Sequence, residues 1–420
     1  MRRYCNTTFI LLALTLLTSA SGQAQTFTVL HNFTGHLDGA SPFGGLAMDR
    51  SGNLYGTTAF GGMGNGTVFR LASKNGAWIF TPLYGFAGGN DGASPQAAVT
   101  VGPDGELYGT TQNGGNGHGT VFKLGPSPTA CKTALCPWTE TVLYRFAGGT
   151  DGDSPLAAVT FDKAGNLYGT TYLGGVGVCN GLYTCGVVYK LTPSNGSWTE
   201  SVLYQFAGGQ DGGAPVASLT FDSAGNLYGA TTIGGLYNGG TVFQLSPAGP
   251  AWVETLLYNF AGADGNQPVG GVVFDASGNL YGTTVSGGSK GGGTAFELTS
   301  SGGVWIQSNL YSFGAHDGDG LSPYCTLLLE NGNLYGTTSA GGPGNLGNIF
   351  QISSSGGGWT STVLHNFTDG SDGAYPFSGL ISDASGDLFG TADSGGTDGY
   401  GVVFEVSASR RDEGRRIAGE

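Results

Sequence analysis

A ten-residue phrase recurs along the chain and constrains its fold more than any other feature. It reads NLYGTTAFGG from Asn53, NLYGTTYLGG from Asn166 and NLYGTTVSGG from Asn279. Successive copies are 53 to 60 residues apart, and the seven copies begin at Asn53, Glu106, Asn166, Asn226, Asn279, Asn333 and Asp387. Spacing this regular predicts a repeat protein in which each copy belongs to one structural unit.

Each unit has the pattern of four short strands. In the first unit these strands are Gly45–Asp49, Asn53–Thr58, Gly66–Leu71 and Trp78–Phe86, all rich in β-branched or aromatic residues. The segment DRSGN between the first two is typical of a tight hairpin turn. Four antiparallel strands in a unit of this length predict one blade of a β-propeller. A stacked β-solenoid is the alternative, but its coils are usually shorter.

The two ends of the chain are predicted to close the ring. The seventh unit stops after its third strand, and the missing fourth strand is Thr26–Phe33, which matches Ser361–Phe367. The predicted fold class is all-β: a seven-bladed β-propeller of four-stranded antiparallel blades, closed by the N-terminal strand, so that no sheet edge is exposed. In each blade the leucine and tyrosine of NLYG point to opposite faces and are expected to pack against the two neighbouring blades.

The recurring pattern GNLYGTT..GG....GTVF.L resembles the Gloeo/Verruco repeat of bacterial proteins called choice-of-anchor tandem repeat GloVer-containing proteins. The resemblance covers nearly the whole mature chain. It implies a secreted protein with a C-terminal surface-sorting signal and no defined enzyme activity. After Val406 the chain reads SASRRDEGRRIAGE, which contains no apolar anchor helix. Attachment to the surface by that route is therefore not expected.

The N-terminal residues have the pattern of a secretory signal peptide. Arg2 and Arg3 precede an apolar run from Phe9 to Leu17, which is too short for a stable membrane span, and small residues follow it. An N-terminal anchor is the alternative. We expect a signal peptide over residues 1–24, a propeller over 25–408 and a polar tail over 409–420. The mature chain is expected to be a secreted monomer without a transmembrane segment, with the periplasm or cell surface as alternative locations.

The charge balance argues against nucleic acid as a partner. The chain has 15 Lys and Arg against 29 Asp and Glu, and several of the arginines lie in the two terminal segments. Proteins that bind nucleic acid need clustered basic side chains to neutralise phosphates, and the body of this chain cannot supply them. Its 39% hydrophobic and 11% aromatic content indicates a folded chain, although 82 residues are glycine.

An Asp-Gly pair recurs in the loop that leads from each outer strand to the next inner strand. The aspartates are Asp38, Asp91, Asp151, Asp211, Asp264, Asp317 and Asp372. In a propeller these loops lie on one face near the channel mouth. The set therefore predicts ligand-binding carboxylates, with calcium as the candidate ion and no other cofactor. The alternative is that Asp-Gly recurs only because it is a favourable turn sequence.

Other candidate site residues are few. His31 and His365 occupy matching strand positions and are interpreted as packing residues, since no histidine pair has metal-ligand spacing. No catalytic residue is assigned, because the chain lacks a nucleophile motif and seven equivalent acids do not identify the pair that glycoside hydrolysis needs. The loop aromatic residues are candidates for carbohydrate stacking, with packing as the alternative: Phe60, Tyr172, Tyr237 and Tyr400.

The predicted function is that of a binding or scaffolding module. Its ligand is predicted to be a polysaccharide, an envelope component or a partner protein. The alternative is a calcium-assisted hydrolase that cleaves a lactone, ester or glycoside at the channel mouth. A weak resemblance of the D..GNLY pattern to calcium-dependent lactonase propellers is the basis of that alternative.

The cysteines of the mature chain are predicted to pair locally. Cys131 and Cys136 lie between the third and fourth strands of the second blade, and Cys179 and Cys185 lie between the second and third strands of the next. Connections of these two kinds emerge on opposite faces of a propeller, too far apart for a shared bridge. The predicted disulfides are Cys131–Cys136 and Cys179–Cys185, and Cys325 is expected to remain a buried free thiol.

Overall fold

A computed structural model describes residues 25–127, 138–179 and 184–408. The predicted signal peptide (1–24), the polar tail (409–420) and the predicted Cys131–Cys136 bridge lie outside the described residues. Among the described residues, no helix is long and apolar enough to cross a membrane. The single helical element in these ranges is a 3-10 turn at Gly89–Asp91.

The strands follow one another in chain order and form one four-stranded antiparallel sheet per repeat. The first strand is β1 (Gln25–Asn32). Blades 1 to 3 follow: β2 (Ala47–Met48), β3 (Leu54–Thr58), β4 (Thr67–Lys74), β5 (Ala77–Gly85); β6 (Thr100–Val101), β7 (Leu107–Thr111), β8 (Thr120–Pro126), β9 (Trp138–Arg145); β10 (Thr160–Phe161), β11 (Leu167–Thr171), β12 (Val187–Ser194), β13 (Ser197–Gln205).

The second half of the chain repeats this arrangement. Blades 4 and 5 contain β14 (Thr220–Phe221), β15 (Leu227–Thr231), β16 (Thr241–Ala248), β17 (Ala251–Asn259); β18 (Val273–Phe274), β19 (Leu280–Thr284), β20 (Thr294–Ser301), β21 (Val304–Ser312). Blade 6 adds a two-stranded ribbon of β22 (Gly320–Leu321) and β25 (Ala340–Gly341) to β23 (Leu328–Glu330), β24 (Asn333–Thr338), β26 (Asn348–Ser355) and β27 (Gly358–Asn366). Blade 7 contains β28 (Ile381–Ser382), β29 (Leu388–Ala392) and β30 (Val402–Ala408). We call the four strands of a blade A to D from the channel outwards.

Strand β1 completes blade 7, as predicted. Its sheet has the order β1-β30-β29-β28, and β1 pairs with β30 from Gln25 opposite Ala408 to Asn32 opposite Val402. The next residue, Phe33, is fully buried and packs in one cluster with Leu54 and Phe69 of blade 1. The two ends of the chain therefore close the seven-bladed ring, and the prediction of a propeller rather than a solenoid is confirmed.

The turn between strands A and B is held by its first aspartate. In blade 1, Asp49 accepts hydrogen bonds from the backbone amides of Ser51 at 2.8 Å and Asn53 at 3.0 Å, and from the Tyr55 hydroxyl at 3.0 Å. Burial raises the pKa of Asp49, but these bonds outweigh it and the net pKa lies below the ordinary value. Gly52 supplies the positive φ of 77° that closes the turn. The repeated DxxGN sequence is thus a self-contained hairpin signal.

Hydrophobic clusters lie between blades and not within them. Leu54 packs in the cluster between blades 7 and 1, whereas the adjacent Tyr55 packs in the cluster between blades 1 and 2. The same division holds for Leu167 and Tyr168 of blade 3. This arrangement confirms the prediction that the leucine and tyrosine of NLYG contact opposite neighbours. Each blade therefore depends on both adjacent blades to bury its faces.

The glycine that follows this tyrosine makes room for a ring from strand C. A Cβ atom added at Gly229 would lie 2.6 Å from Cζ of Phe243, and one added at Gly282 would lie 2.6 Å from Cζ of Phe296. These separations are well below van der Waals contact, so a side chain would displace the fully buried ring. The glycine of NLYG is required by this close approach.

The first threonine after this glycine links neighbouring blades. Its hydroxyl donates to a backbone carbonyl of the next blade, for example from Thr57 to Ala97 at 2.8 Å, and from Thr391 to Gly44 at 3.1 Å across the closure. Thr110, Thr170, Thr283 and Thr337 make equivalent bonds. Blade 4 has Ala230 at this position, so its side chain cannot donate a hydrogen bond to blade 5.

Replacing this alanine is expected to complete the set. Ala230→Thr should donate to the carbonyl of Gly270, which occupies the position of Ala97, and should stabilise the fold by about 0.5–1.5 kcal/mol. Chemical denaturation measures the change. Ala230→Val is the matched control, because it has nearly the same volume without a hydroxyl. Equal stability of the two variants would contradict the proposed bond.

The cysteine predictions can be compared with the structure in part. Cys179 and Cys185 form a disulfide with a Cα–Cα distance of 5.3 Å, as predicted. Cys325 is a buried free thiol, also as predicted, and burial raises the pKa of this thiol to about 11. The disulfide lies against Gly208 and Gly213, so it fixes the inserted loop of blade 3 onto the following D–A loop.

Candidate functional site

Two sets of loops meet on one face of the propeller. In blade 1, the loop that enters strand A pairs with the loop between strands B and C through a bridge between Ala40 and Phe60. Equivalent bridges occur at Ala93 with Asn113 and Gly213 with Ile233, and β22 pairs with β25 in blade 6. We call the end of the channel on this face the mouth.

The channel contains a cavity of about 610 Å³ that is lined by residues of all seven blades. This volume lies within the range of about 300–1,000 Å³ that is usual for ligand pockets. In each blade, the residue after the loop proline lies at the cavity wall, and these residues form the mouth ring: Phe43, Gln96, Leu156, Val216, Val269, Tyr324 and Phe377. The backbone repeats around the ring, but the side chains do not.

Three aromatic residues of the mouth ring are neighbours in space. The rings of Phe43 and Phe377 stack with their centroids 4.8 Å apart, and Tyr324 meets Phe377 edge-on at 5.5 Å. These residues come from the consecutive blades 6, 7 and 1, and each of them is only half-buried. We call them the aromatic arc. It gives one side of the mouth a continuous, partly exposed aromatic surface.

Polar side chains of blades 2 to 5 also line the cavity. Gln96 of blade 2 donates a hydrogen bond to Gln112 at 2.6 Å, and Tyr172, Thr232 and Gln267 also line the wall. Leu328 and Ile381 of blades 6 and 7 line the wall on the side of the aromatic arc. The aromatic arc therefore shares the cavity with several polar side chains of blades 2 to 5, which alternate with apolar residues such as Leu156 and Val216.

The residue before each loop proline has an unusual backbone conformation. All seven have φ between 54° and 59°: Ser41, Ser94, Ser154, Ala214, Gln267, Ser322 and Tyr375. This left-handed conformation costs about 1–3 kcal/mol for a residue other than glycine. Two backbone hydrogen bonds hold it; in blade 1, Ser41 donates to Tyr400 of blade 7 at 3.0 Å and accepts from Ala59 at 2.9 Å. The mouth ring is therefore fixed by the scaffold.

None of the aspartates predicted from the Asp-Gly pairs lines the cavity. Six of the seven cap their own loops: Asp91, for example, accepts from the Ala87 amide and the Tyr84 hydroxyl, both at 2.6 Å. The same pattern holds for Asp38, Asp151, Asp211, Asp264 and Asp372, with a histidine in place of the tyrosine at Asp38 and Asp372. These local bonds explain why the Asp-Gly pair recurs.

The sixth of these loops departs from the predicted alignment. Asp319, and not Asp317, accepts from the Tyr311 hydroxyl at 2.8 Å and from the Gly314 amide at 2.9 Å, whereas Asp317 is exposed. The loop GAHDGDG contains two Asp-Gly pairs, and the second one takes the capping position. Within the described ranges, no group of three or more His, Cys, Asp or Glu side chains could hold a metal ion. Calcium binding by the predicted aspartates stays a prediction.

Two histidines and four loop aromatics can also be placed. His31 stacks on Phe80 and His365 stacks on Phe27, each with ring centroids 3.8 Å apart, which agrees with the packing interpretation. Of the four loop aromatic residues, Tyr172 is the one that lines the cavity. The other three are exposed on the same face: Phe60, Tyr237 and Tyr400.

The family of the chain follows from its repeats. The Gloeobacter/Verrucomicrobia repeat matches residues 15–177, 132–273 and 251–414, which together span most of the sequence. The chain belongs to this repeat family. No curated protein sequence matches it.

Two solved structures are similar to this repeat-family member at low sequence identity. A protein described as a 6-phosphogluconolactonase from Bacteroides uniformis is 15% identical with a TM-score of 0.49, covering 76% of this chain and 83% of its own. A protein described as an oxidoreductase (glucose dehydrogenase) from Thermus thermophilus is 13% identical with a TM-score of 0.40, covering 91% of this chain and 99% of its own.

The aromatic arc was not predicted from the sequence of this repeat-family member. Its signal is the residue after the loop proline, which is aromatic in Ser-Pro-Phe, Ser-Pro-Tyr and Tyr-Pro-Phe but not in the other four repeats. A sequence pattern common to the seven repeats does not include this position, because the residue here differs from repeat to repeat. Where a scaffold repeats seven times, a position that varies at the centre of one face is a better site signal than a position that is constant.

Proposed function

We propose that this protein is an exported bacterial binding module that holds a carbohydrate at the mouth of its channel. The observation that carries the proposal is the aromatic arc of Tyr324, Phe377 and Phe43 at the wall of a cavity large enough for a ligand. Aromatic faces pack well against the apolar C–H face of a sugar ring, and little rotamer entropy is lost on binding because these side chains are already packed against one another.

The rest of the cavity supports the same ligand class. A sugar has an apolar face and a hydroxyl-bearing edge, and the cavity combines the aromatic arc with polar side chains of blades 2 to 5. Gln96, Tyr172 and Gln267 supply hydrogen-bonding groups at the cavity wall outside the aromatic arc. A protein partner or another envelope component is the alternative ligand. A hydrolase at the mouth is the alternative activity, but no arrangement described above favours it.

Export is the second part of the proposal. Residues 1–24 have the signal-peptide pattern described above, and the Cys179–Cys185 disulfide suits an oxidising compartment. These features support the proposal that the mature chain acts as a monomer outside the cytoplasm, either secreted, periplasmic or at the cell surface. The family relationship fits an envelope role, since a binding module there would meet polysaccharides directly.

Removing the central ring of the arc tests the carbohydrate site. Phe377→Ala is expected to weaken binding of a soluble oligosaccharide at least tenfold, which corresponds to about 1.4 kcal/mol, because Phe377 contacts both other rings. A panel of linear glucan, xylan and glucosamine oligosaccharides would first identify a binding sugar by isothermal titration calorimetry. The variant would then be measured with that sugar.

Phe60→Ala is the matched control, because Phe60 is an exposed aromatic residue on the same face outside the arc. It is expected to leave the affinity unchanged. Thermal unfolding would establish that both variants are folded. Equal losses in the two variants, or binding that survives Phe377→Ala, would contradict a site at the arc, and failure of every saccharide to bind would contradict the proposed ligand class.

A further inference from the structure

Blade 2 has glutamines at two positions where the other blades have no amide side chain. Gln96 is its mouth-ring residue, and the equivalent residues are Phe, Leu, Val or Tyr. Gln112 follows strand B, at the position held in other blades by Ala59, Tyr172, Thr232, Val285, Ser339 and Asp393. Gln96 lines the cavity, and its Nε2 donates to Oε1 of Gln112 at 2.6 Å. The two departures from the repeat therefore form one hydrogen-bonded pair.

The bond to Gln112 holds the Gln96 amide in place and leaves part of it free. A glutamine amide has two N–H donors and one carbonyl oxygen that accepts. Gln112 uses one N–H, and within the described part of the chain Gln96 makes no other side-chain hydrogen bond. Because Gln96 is half-buried at the cavity wall, its second N–H and its Oε1 are available to a ligand there.

Gln96 lies beside the aromatic arc, because it follows Phe43 around the mouth ring. The next residues in each blade, Gly44 and Ala97, are in close contact: a Cβ atom added at Gly44 would lie 2.7 Å from the carbonyl oxygen of Ala97. The Thr57 hydroxyl of blade 1 donates to the same carbonyl at 2.8 Å. A sugar ring that packs on Phe43 can therefore place its hydroxyl-bearing edge at Gln96.

The wall of the cavity is uncharged. Among the described residues that form it, none is Asp, Glu, His, Lys or Arg, although the chain has 29 acidic and 15 basic residues. A carboxylate in the cavity would lose part of its hydration without gaining a cationic partner. It would also meet the negative potential of a chain whose net charge is −14. The wall therefore favours a neutral ligand over an anionic one.

We infer that the mouth selects a neutral sugar with two adjacent free hydroxyl groups, which Gln96 binds while Gln112 positions its amide. This inference rests on the proposed carbohydrate site. Of two hydroxyls on neighbouring carbons, one can accept the free N–H of Gln96 while the other donates to its Oε1. An acetamido group in place of one hydroxyl removes this pair. A carboxylate elsewhere on the sugar keeps the pair but adds an unpaired negative charge.

The test uses isothermal titration calorimetry with four β-1,4-linked hexasaccharides. The glucose and xylose hexamers are neutral and have adjacent hydroxyls at C2 and C3. The N-acetylglucosamine hexamer is neutral but lacks the C2 hydroxyl, and the glucuronic acid hexamer has both hydroxyls but is anionic. We expect the wild-type protein to bind a neutral hexamer with both hydroxyls about tenfold more tightly than either of the last two.

Variants of the glutamine pair test the two roles. Gln96→Leu, which keeps a similar volume, is expected to weaken binding of the preferred neutral hexamer about tenfold and to remove the preference over the N-acetylated one. Gln112→Leu should lose part of this preference, whereas Gln112→Glu should retain it, because a carboxylate still accepts the Gln96 N–H. Asn116→Leu is the matched control, since Asn116 is exposed in the B–C loop of the same blade, and it should bind like the wild-type protein.

The outcomes separate this inference from the proposed function. Equal or tighter binding of the N-acetylglucosamine or glucuronic acid hexamer, with loss of that binding in Phe377→Ala, would overturn the inference and leave the carbohydrate site intact. A preference that survives Gln96→Leu, or that is lost equally in Asn116→Leu, would also overturn it. Full preference in Gln112→Leu would contradict the positioning role. If none of the hexamers binds the wild-type protein, both the inference and the proposed ligand class fail.

Discussion

A chain that begins at residue 34 is expected to lose its cooperative fold, in contrast to one that begins at residue 25. The deleted segment contains β1, which pairs with β30 along the outer side of blade 7. It also contains Phe33, which is fully buried against blade 1. Removing a single buried phenylalanine side chain costs about 3–5 kcal/mol, and a whole domain is stable by only about 5–15 kcal/mol.

The structural reason is that the strand acts at two interfaces. Phe27 and Val29 cover the cluster between blades 6 and 7, while Phe33 belongs to the cluster between blades 7 and 1. Without them, β30 becomes an exposed sheet edge, which favours aggregation. We expect the melting temperature measured by circular dichroism to fall by more than 10 °C, or the unfolding transition to lose its cooperativity. Light scattering would report the aggregation.

Two controls make this experiment specific. Deletion of residues 409–420 removes a chain end of similar length, and we expect it to leave the melting temperature unchanged. A synthetic peptide of residues 25–33 added in trans should restore part of the lost stability in a concentration-dependent way. A truncated chain that melts like the longer one, or that ignores the peptide, would contradict closure by β1.

The architecture could be predicted from the sequence because it depends on short turn and strand patterns that recur in every repeat. The DxxGN turn is satisfied by hydrogen bonds from residues within six positions of its aspartate, and the alternation of leucine and tyrosine sets which face meets which neighbour. The predicted strands of the first repeat agree with β3, β4 and β5 to within a few residues, whereas strand A is only Ala47–Met48. Strand A is short because the residues before it line the cavity instead of pairing.

The site was harder to predict, because it depends on differences between repeats. The constant Asp-Gly aspartates cap loops, as Asp91 does, and the sixth loop has two pairs, which led the alignment to Asp317 in place of Asp319. The arc requires knowing that blade 7 lies beside blade 1, although Phe377 and Phe43 are far apart in sequence. Only ring closure brings them together.

Contacts between the D strands of neighbouring blades were also not predicted from the sequence. The residue six positions before the buried phenylalanine that follows strand D faces the preceding blade. Phe80 and Phe27 at this position stack on histidines. Glu140, Glu200 and Glu254 occupy the same position in blades 2, 3 and 4, where they face the tyrosine and aspartate of the preceding blade. One carboxylate oxygen of each glutamate is buried without a hydrogen-bond partner.

These three glutamates are expected to make the fold less stable as the pH rises. Burial, followed by the charge of Asp91, raises the pKa of Glu140 to about 7, although Arg145 opposes the shift. Burial and the neighbouring aspartate likewise raise the pKa of Glu200 and of Glu254 to about 7. The folded state therefore holds protons that the unfolded state releases near pH 4.5. This stabilising contribution is complete below that pH and is lost as the pH rises through about 7.

Replacing the three glutamates by glutamine tests this expectation. Each side chain is about half exposed, so after solvent screening we expect about 1 kcal/mol per site, or about 3 kcal/mol for the Glu140→Gln, Glu200→Gln, Glu254→Gln variant at pH 8. At pH 4.5 the variant and the wild-type protein should be equally stable. Blade 5 already has Gln307 at this position, and its amide donates to the carbonyl of Asp264 at 3.2 Å.

The measurement is the free energy of unfolding from urea titrations between pH 4.5 and pH 8, taken as the difference between variant and wild type. Groups with opposite behaviour, such as His31 and His365, whose pKa values are lowered by burial, are unchanged in the variant and cancel in this difference.

The control is a variant in which three exposed aspartates are replaced by asparagine, which changes the net charge equally. These are Asp317, Asp369 and Asp398. If the control gains as much stability at pH 8, general charge repulsion explains the effect. If neither variant gains, the three carboxyl groups do not hold protons in the folded state.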